Sequence, residues 1–224
     1  MELLDQTIGN IACDIPGATR VFHQHKLDFC CNGGNSLREA AAKRGVDTTI
    51  LTKDLERLRG QTDSTRDWRT TGPEELVEHI LRTFHDKHRE QLPELLRLAR
   101  RVEAVHGDKP GCPVGLADHL AFMEQDLESH MMKEEQVLFP MLIRGYYTQS
   151  VAPISMMRHE HEHHGESLEI LMQLTNDITA PEGACNTWRA LYAGLVQLRE
   201  DVMQHIHLEN NVLFLNAERQ AGGH

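Results

Sequence analysis

The sequence predicts an all-α protein, an antiparallel four-helix bundle preceded by a small helical N-terminal domain. Three observations carry this. Aromatic residues make up only 5% of the 224 residues, while Leu, Ala, Glu and Arg abound, a balance that favours helix over sheet. Long stretches after residue 73 repeat their apolar residues at helical spacing. The connections between those stretches are short, which places successive helices antiparallel.

Residues 1–60 read as a small helical unit. Ile15 to His25 and Ser36 to Arg44 form two short helices around a turn at Cys30-Cys31-Asn32-Gly33-Gly34, and Asp47 to Arg59 forms a third. Residues 61–72 are polar, rich in Thr, Asp and Arg, and lack an apolar period, so they read as a linker. Residues 73–219 form the bundle. Its first helix opens at Pro73-Glu74-Glu75, with proline early and acids in the first turn, and runs to about Val105, with a bend expected at Pro93. The second runs from about Val114 to Arg144, with Pro140 disturbing its end. The third spans about Val151 to Asp177 and the fourth about Glu182 to Arg219.

Composition removes several classes of function. The formal charge is −11, from 23 basic and 34 acidic residues, which argues against nucleic acid as a partner. No apolar run has the length to cross a bilayer, so no membrane role is expected. MELLDQTIGN lacks the basic flank and long apolar stretch of a signal peptide. Five cysteines without a regular framework suit a reducing compartment, and a cytoplasmic location is expected. The oligomeric state is left open, a homodimer included.

Histidine is the outlier, 15 of 224 residues. His130-Met-Met-Lys-Glu134, followed by Val137-Leu138-Phe139, returns from residue 205 as His205-Ile-His-Leu-Glu209, followed by Val212-Leu213-Phe214. Each copy sets an imidazole and a carboxylate four residues apart, on one helical face. Upstream of each stands a matching His-acid-x-His-x-Glu, beginning at His85 and at His161. His130 and Glu134 lie in the apolar stripe of the second helix, and His205 and Glu209 in that of the fourth. A carboxylate buried there is costly unless it is paired or metal-bound. Two of them entering one core need a cation between them.

Four histidines and two glutamates therefore predict two metals bridged by both carboxylates, with the ligands His85, His130, Glu134, His161, His205 and Glu209. The set holds no thiolate, which disfavours structural zinc. Mixed imidazole and carboxylate in a bundle core points to two iron ions, with manganese second. An oxo or hydroxo bridge and an exogenous ligand such as O2 or NO would complete the coordination. His88, His163 and His164 read as outer residues or surface, and His79, His106, His119, His159 and His207 as structural or solvent-facing. His23 and His25 show no partners. Asp126, one turn before His130, and Glu160, preceding His161, could hold a ligand or relay protons. Cys30 and Cys31 form a thiol pair in a Gly-rich turn, with redox chemistry, NO capture or iron transfer as candidate roles against a plain packing role. Cys13, Cys112 and Cys185 show no spacing logic.

With these residues in view, the bundle resembles the hemerythrin-like diiron fold. The whole chain more closely resembles the RIC family, for repair of iron centres. The stretches that carry the likeness are DFCCNGG, FHDKHREQLPEL, SHMMKEEQVLFPM, the His161 region and HIHLENNVLF, and they cover nearly the full chain. The resemblance implies a non-haem diiron protein that acts under nitrosative and oxidative stress, restores damaged iron–sulfur proteins by delivering iron, and binds or reduces NO. It implies the same six ligands and a role for Cys30 and Cys31. Against oxygen-carrying hemerythrins the chain departs: Gly165 stands where a second His of the third helix is expected, and the last helix has His205-x-x-x-Glu209 instead of a His-x-x-x-x-Asp pair. That leaves a more open site and argues against reversible O2 storage. Three further readings compete: an enzyme reducing two NO to N2O, an NO or O2 sensor or scavenger without turnover, and a bundle whose histidines are only structural.

Overall fold

The computed structural model describes residues 2–15, 17–59 and 67–222. Among the described residues helix dominates and no strand occurs beyond one isolated bridge, Thr7 to Ser36. The all-α expectation holds. Pro16 and residues 61–66 of the expected linker lie outside the described residues, as does His224. Among the described residues no helix is long and apolar enough to cross a membrane.

The chain divides into two compact units: Met1–Leu76 with Met203–His224, and Val77–Val202. The first contains α1 (Ile8–Asp14), α2 (Ala18–Gln24), α3 (Leu37–Arg44) and α4 (Thr48–Arg59). The short helix α1 has no counterpart in the sequence reading. Thr7 caps it by accepting from the Asn10 backbone N–H. A seven-residue helix shows too few turns for its apolar period to register. α3 begins with a full capping box, Ser36 and Glu39 each satisfying the other's backbone N–H, and ends at Gly45, whose φ of 66° is the left-handed conformation glycine favours. Ile8, Ile11, Phe22, Phe29, Leu37 and Leu51 are buried here, with Phe22 and Phe29 ring centroids 5.8 Å apart. The apolar side chains Val212, Leu213 and Phe214 of the C-terminal segment are buried in the same unit.

The second unit holds the bundle. α5 comprises Pro73–Ile80, a π-turn at Leu81–His85 and Asp86–His106, and up to Leu76 its residues group with the first unit. α6 comprises Leu116–Lys133, a π-turn at Glu134–Leu138 and Phe139–Ile143. α7 is Tyr147–Leu174. α8 comprises Asn186–Leu208, a π-turn at Glu209–Leu213 and Phe214–Gly222, and from Met203 onward its residues group with the first unit. Leu92, Leu120, Leu127, Leu168, Leu195 and Leu198 are among the side chains that fill the core, which is the apolar stripe of each helix turned inward. Polar ties cross the bundle as well. Arg89 forms a two-pronged pair with Glu128 at 2.9 and 3.1 Å, and Gln91 donates to Asp201 at 2.7 Å.

Helix ends and irregularities differ from expectation in several places. α5 stays helical through Pro93, and its irregularity falls instead at the π-turn that ends on His85. α7 starts at Tyr147 and stops at Leu174, because Asn176, Asp177 and Ile178 turn into the left-handed region at φ 50–55°. α8 begins at Asn186, four residues later than Glu182. In α6 the π-turn ends two residues before Pro140, which has no N–H to return to the turn before it.

Candidate metal centre

Each of the three π-turns carries a predicted ligand: His85, Glu134 and Glu209. One extra residue in a turn re-aims a side chain without ending the helix, and such turns cluster at functional positions. The result is burial of charge-bearing groups. His85, Glu134, His161 and Glu209 have no exposed surface, and His130 and His205 retain 1%.

Within the unit Val77–Val202, α5, α6 and α7 bring His85, His130, Glu134 and His161 together. The two carboxylate oxygens of Glu134 face different imidazoles: Oε2 lies 3.4 Å from His85 Nε2, and Oε1 lies 3.4 Å from His130 Nε2. His161 Nε2 lies 3.1 Å from His130 Nε2. One ligand atom from each of His130, Glu134 and His161 falls within 4.8 Å of the others. Within the other unit, the Nε2 of His205 is 3.1 Å from Glu209 Oε1.

The outer nitrogens of two rings are tied down. His85 Nδ1 donates to Glu135 Oε1 at 2.8 Å, and His130 Nδ1 donates to Glu160 Oε2 at 2.9 Å. A carboxylate can only accept, so each Nδ1 carries the proton and each Nε2 turns a lone pair inward. This is how a carboxylate behind a histidine fixes tautomer and ring direction for a metal. The supports are held in turn. Arg89 Nη1 contacts Glu135 at 2.9 Å, and Lys133 Nζ contacts Glu160 at 2.6 Å. The His130 hydrogen bond is the main reason the Glu160 carboxyl is pulled down to about 2; burial opposes the shift and Lys133 reinforces it. At Glu135, burial works against the charge, but the hydrogen bonds from Arg89 and His85 outweigh it and hold the carboxyl below its usual range. Phe139 stacks on His85, with ring centroids 5.7 Å apart.

Glu160 thus accepts a hydrogen bond from His130, one of the six residues predicted as ligands. Asp126 does not. It pairs with His164 Nδ1 at 3.2 Å, and that hydrogen bond leads the causes that lower its carboxyl. His164 is buried, with its ring centroid 4.7 Å from that of His130, and burial lowers its pKa. Asp126 and His164 line a small cavity of about 10 Å³ with Leu92, Met123, Leu127 and Ser167 among its walls, room for about one water. Glu135 and Arg89 were missed in the sequence. The only available signal was their place beside Glu134 and His88, and a surface acid next to a ligand looks like any other.

Replacing Glu160 by Gln keeps the shape but removes the charge behind His130. Metal affinity is expected to fall roughly 10–100-fold, measured by competition with a chelator, while helical circular dichroism stays unchanged. Equal affinity in Glu160→Gln would show that the tie to His130 does not matter for binding.

In the first unit Cys30 and Cys31 are both free thiols, with sulfurs 3.7 Å apart. Cys30 is buried, 4% exposed, and Cys31 is part-exposed. Asp28 organises the turn, accepting from the Cys31 backbone N–H at 3.0 Å and from the Cys30 thiol at 3.4 Å. Ligand atoms of Asp28, Cys30 and Cys31 lie within 4.8 Å of one another. The hydrogen bond with Cys31, then burial, keeps the Cys30 thiol protonated well above its usual range. The turn is anchored by the C-terminal segment. Asn210 donates to the Cys30 carbonyl at 3.1 Å, and Asn211 donates to the Phe29 and Cys30 carbonyls at 3.2 Å. Gly33 makes room for Asn211, since a Cβ there would stand 2.1 Å from its Oδ1. Gly33→Ala must push Asn211 off both carbonyls. A loss of about 1–3 kcal/mol is expected, read as faster hydrogen exchange in residues 28–34. Unchanged protection there would refute the anchoring role.

Other cysteines and histidines find partners too. Cys13 meets His207 Nε2 at 3.5 Å on the wall of a cavity of about 430 Å³ that Trp68 also lines. Burial raises the Cys13 thiol to about 11 and lowers His207 to about 4, so both are neutral at pH 7. His106 contacts Cys185 at 3.3 Å and stacks on Trp188. His25, without a visible partner in the sequence, pairs with Asp54 at 3.5 Å.

Comparison with known proteins agrees with this geometry. Residues 76–215 match the model of the hemerythrin HHE cation binding domain, and residues 4–59 match a domain of unknown function, DUF542. The chain is 50% identical over 219 residues to the iron-sulfur cluster repair protein YtfE of Dickeya chrysanthemi, covering 98% of this chain and 99% of that one. It is 48% identical, with the same coverage of both chains, to the proteins of that name from Pectobacterium atrosepticum and Yersinia pseudotuberculosis. The chain belongs to the YtfE family of hemerythrin HHE proteins. The matched HHE segment contains all six predicted ligands, and the N-terminal match contains Cys30 and Cys31. The donor chemistry fits this assignment. Buried imidazole and carboxylate without thiolate make a non-haem metal site of the kind iron favours.

Proposed function

We propose that this chain is a non-haem diiron protein that repairs iron–sulfur clusters damaged by nitrosative or oxidative stress, by donating iron to the damaged protein. Its relatives are named for iron–sulfur cluster repair, and the diiron, iron-donation and stress parts of the reading are the proposal. The observation that carries the diiron reading is Glu134. It is a fully buried carboxylate with a different imidazole 3.4 Å from each of its oxygens, the arrangement of a group that bridges two cations. His205 and Glu209 repeat the His-x-x-x-Glu pair at full burial and supply the second half of the set. The six ligands are then His85, His130, Glu134, His161, His205 and Glu209, with iron in both positions and manganese as the second choice.

When bound, the two irons supply open coordination positions for NO or O2 and a ferrous ion that can be given up. The chain's own residues do the rest. Glu135 and Glu160 hold His85 and His130 in the tautomer that presents Nε2 inward. The apolar side chains around them exclude bulk water, which strengthens every charge interaction inside. Asp28, Cys30 and Cys31 offer one carboxylate and two thiols within 4.8 Å, a donor set suited to receiving iron in transit. The proposed architecture is a Cys-bearing domain at 1–60, a linker at 61–72 and the diiron bundle at 73–219, acting in the cytoplasm.

The test uses a nitrosylated iron–sulfur enzyme mixed with the iron-loaded protein. Recovery of client activity with a matching loss of iron from the donor is the expected result. Client recovery equal to that with free ferrous iron alone would reject donation. Gas analysis after one turnover of the reduced protein with NO separates the neighbouring readings: N2O marks an NO reductase, and reversible NO or O2 binding without iron loss marks a sensor or scavenger.

A further inference from the structure

The excess of histidine is not exhausted by the buried centre. α7 carries His159, Glu162, His163 and Glu166 in addition to His161 and His164. At about 100° per residue, these four fall within a sector of roughly 100° on the helix, and His161 points to nearly the opposite side. The burial pattern agrees. His159, Glu162, His163 and Glu166 are all exposed, while His161 and His164 are buried.

We propose that this outward face is a second metal-binding site, a dock of two imidazoles and two carboxylates for a borderline divalent cation such as Zn²⁺, Ni²⁺ or Fe²⁺. His159 and His163 stand one turn apart, with ring centroids only 4.4 Å from each other at an interplanar angle of 64°. Both side chains could separate into solvent, since His159 is 62% exposed, yet the rings lie together. Two rings so placed can each bring a nitrogen to one ion at about 2.0–2.1 Å with rotation about their side-chain bonds alone. Glu162 lies beside them, its Oε2 3.6 Å from His159 Nδ1, and its side chain is 68% exposed. Glu166 follows one turn after Glu162 and three residues after His163, so it can close over the same ion from the C-terminal side. Nitrogen and oxygen donors without sulfur select zinc, nickel and ferrous iron over soft cations, with ferrous iron held more weakly than the other two. The net charge of −11 raises the local concentration of any cation near such a face. The site is open to solvent and rigid only along the helix, so exchange with the medium is fast. The helix thereby carries one ligand set inward and another outward, and the second does not depend on the metal or activity assigned to the first.

The experiment uses the full chain with its iron loaded, titrated calorimetrically with ZnCl₂ and, separately, with NiCl₂. Iron content is measured before and after. The wild-type chain is expected to take up about one ion at this face, beyond its iron and any ion held by Asp28, Cys30 and Cys31. His159→Asn combined with His163→Asn weakens that uptake by at least about tenfold, and Glu162→Gln with Glu166→Gln weakens it less. Helical circular dichroism and iron content remain those of the wild type in both variants, because all four positions are on the surface. Unchanged affinity and stoichiometry in the double-histidine variant would overturn the proposal. So would a wild-type chain that takes up no ion beyond its iron, or uptake that displaces iron one for one.

Discussion

Replacing both Glu134 and Glu209 by Leu is expected to abolish metal binding and yet to stabilise the metal-free chain. Both carboxylates have no exposed surface. Without a cation each carboxylate sits against buried imidazoles, Glu134 at 3.4 Å from His85 and His130 and Glu209 at 3.1 Å from His205, and keeping such a charged cluster out of water costs several kcal/mol, which leucine of similar volume lowers. The metal-free double variant should therefore unfold at a higher temperature than the metal-free wild type. A gain of about 1–4 kcal/mol is the expected scale, at roughly 2–4 °C per kcal/mol for a chain of this length. The iron-loaded wild type should lie above the metal-free wild type, because binding to the folded state alone adds stability. Elemental analysis and thermal melts of the three samples check the ordering. Iron retained by the double variant would sink the ligand assignment. A double variant less stable than the metal-free wild type would show that the carboxylates are satisfied by protein groups and await no cation.

Phe139→Ala carries the next largest effect, and it links packing to the centre. Phe139 is 2% exposed, follows the π-turn of α6 and stacks on His85 at 5.7 Å. Truncating a buried phenylalanine costs about 3–5 kcal/mol through lost transfer energy and the cavity left behind. The same change removes the surface that holds one face of the His85 ring, while its contacts with Glu135 and Glu134 stay. Denaturant midpoints should fall, and metal affinity should fall with them. Phe139→Leu separates the two losses: it restores most of the volume and the stability but not the flat face, so a deficit in affinity should persist. If Phe139→Leu recovers affinity fully, the ring stack has no part in positioning His85.

The helix class and the inner ligand faces were legible because both depend on local spacing. An imidazole at 130 and a carboxylate at 134 share a face of any α-helix, whatever surrounds it. Their place in an apolar stripe already implied burial, and His130 and Glu134 are buried as the stripe requires. The π-turns were not legible, because one extra residue in a long helix barely disturbs its apolar period. The short α1 helix escaped for a related reason, since seven residues carry too little pattern.

The sequence by itself determined a helical chain, two His-x-x-x-Glu pairs and the lone histidines that match them. It did so because periodicity and i, i+4 geometry are properties of the backbone alone. Tertiary structure decided which acids stand behind which histidines. Glu135 meets His85 across 50 residues, and Glu160 rather than Asp126 meets His130 across 30, since those pairings depend on how α5, α6 and α7 pack against one another. It also decided that Cys30 is buried, because the residues that anchor its carbonyl, Asn210 and Asn211, lie about 180 positions further along the chain. Contacts of that separation leave no periodic trace in a single sequence, and only the folded chain brings the donor to its acceptor.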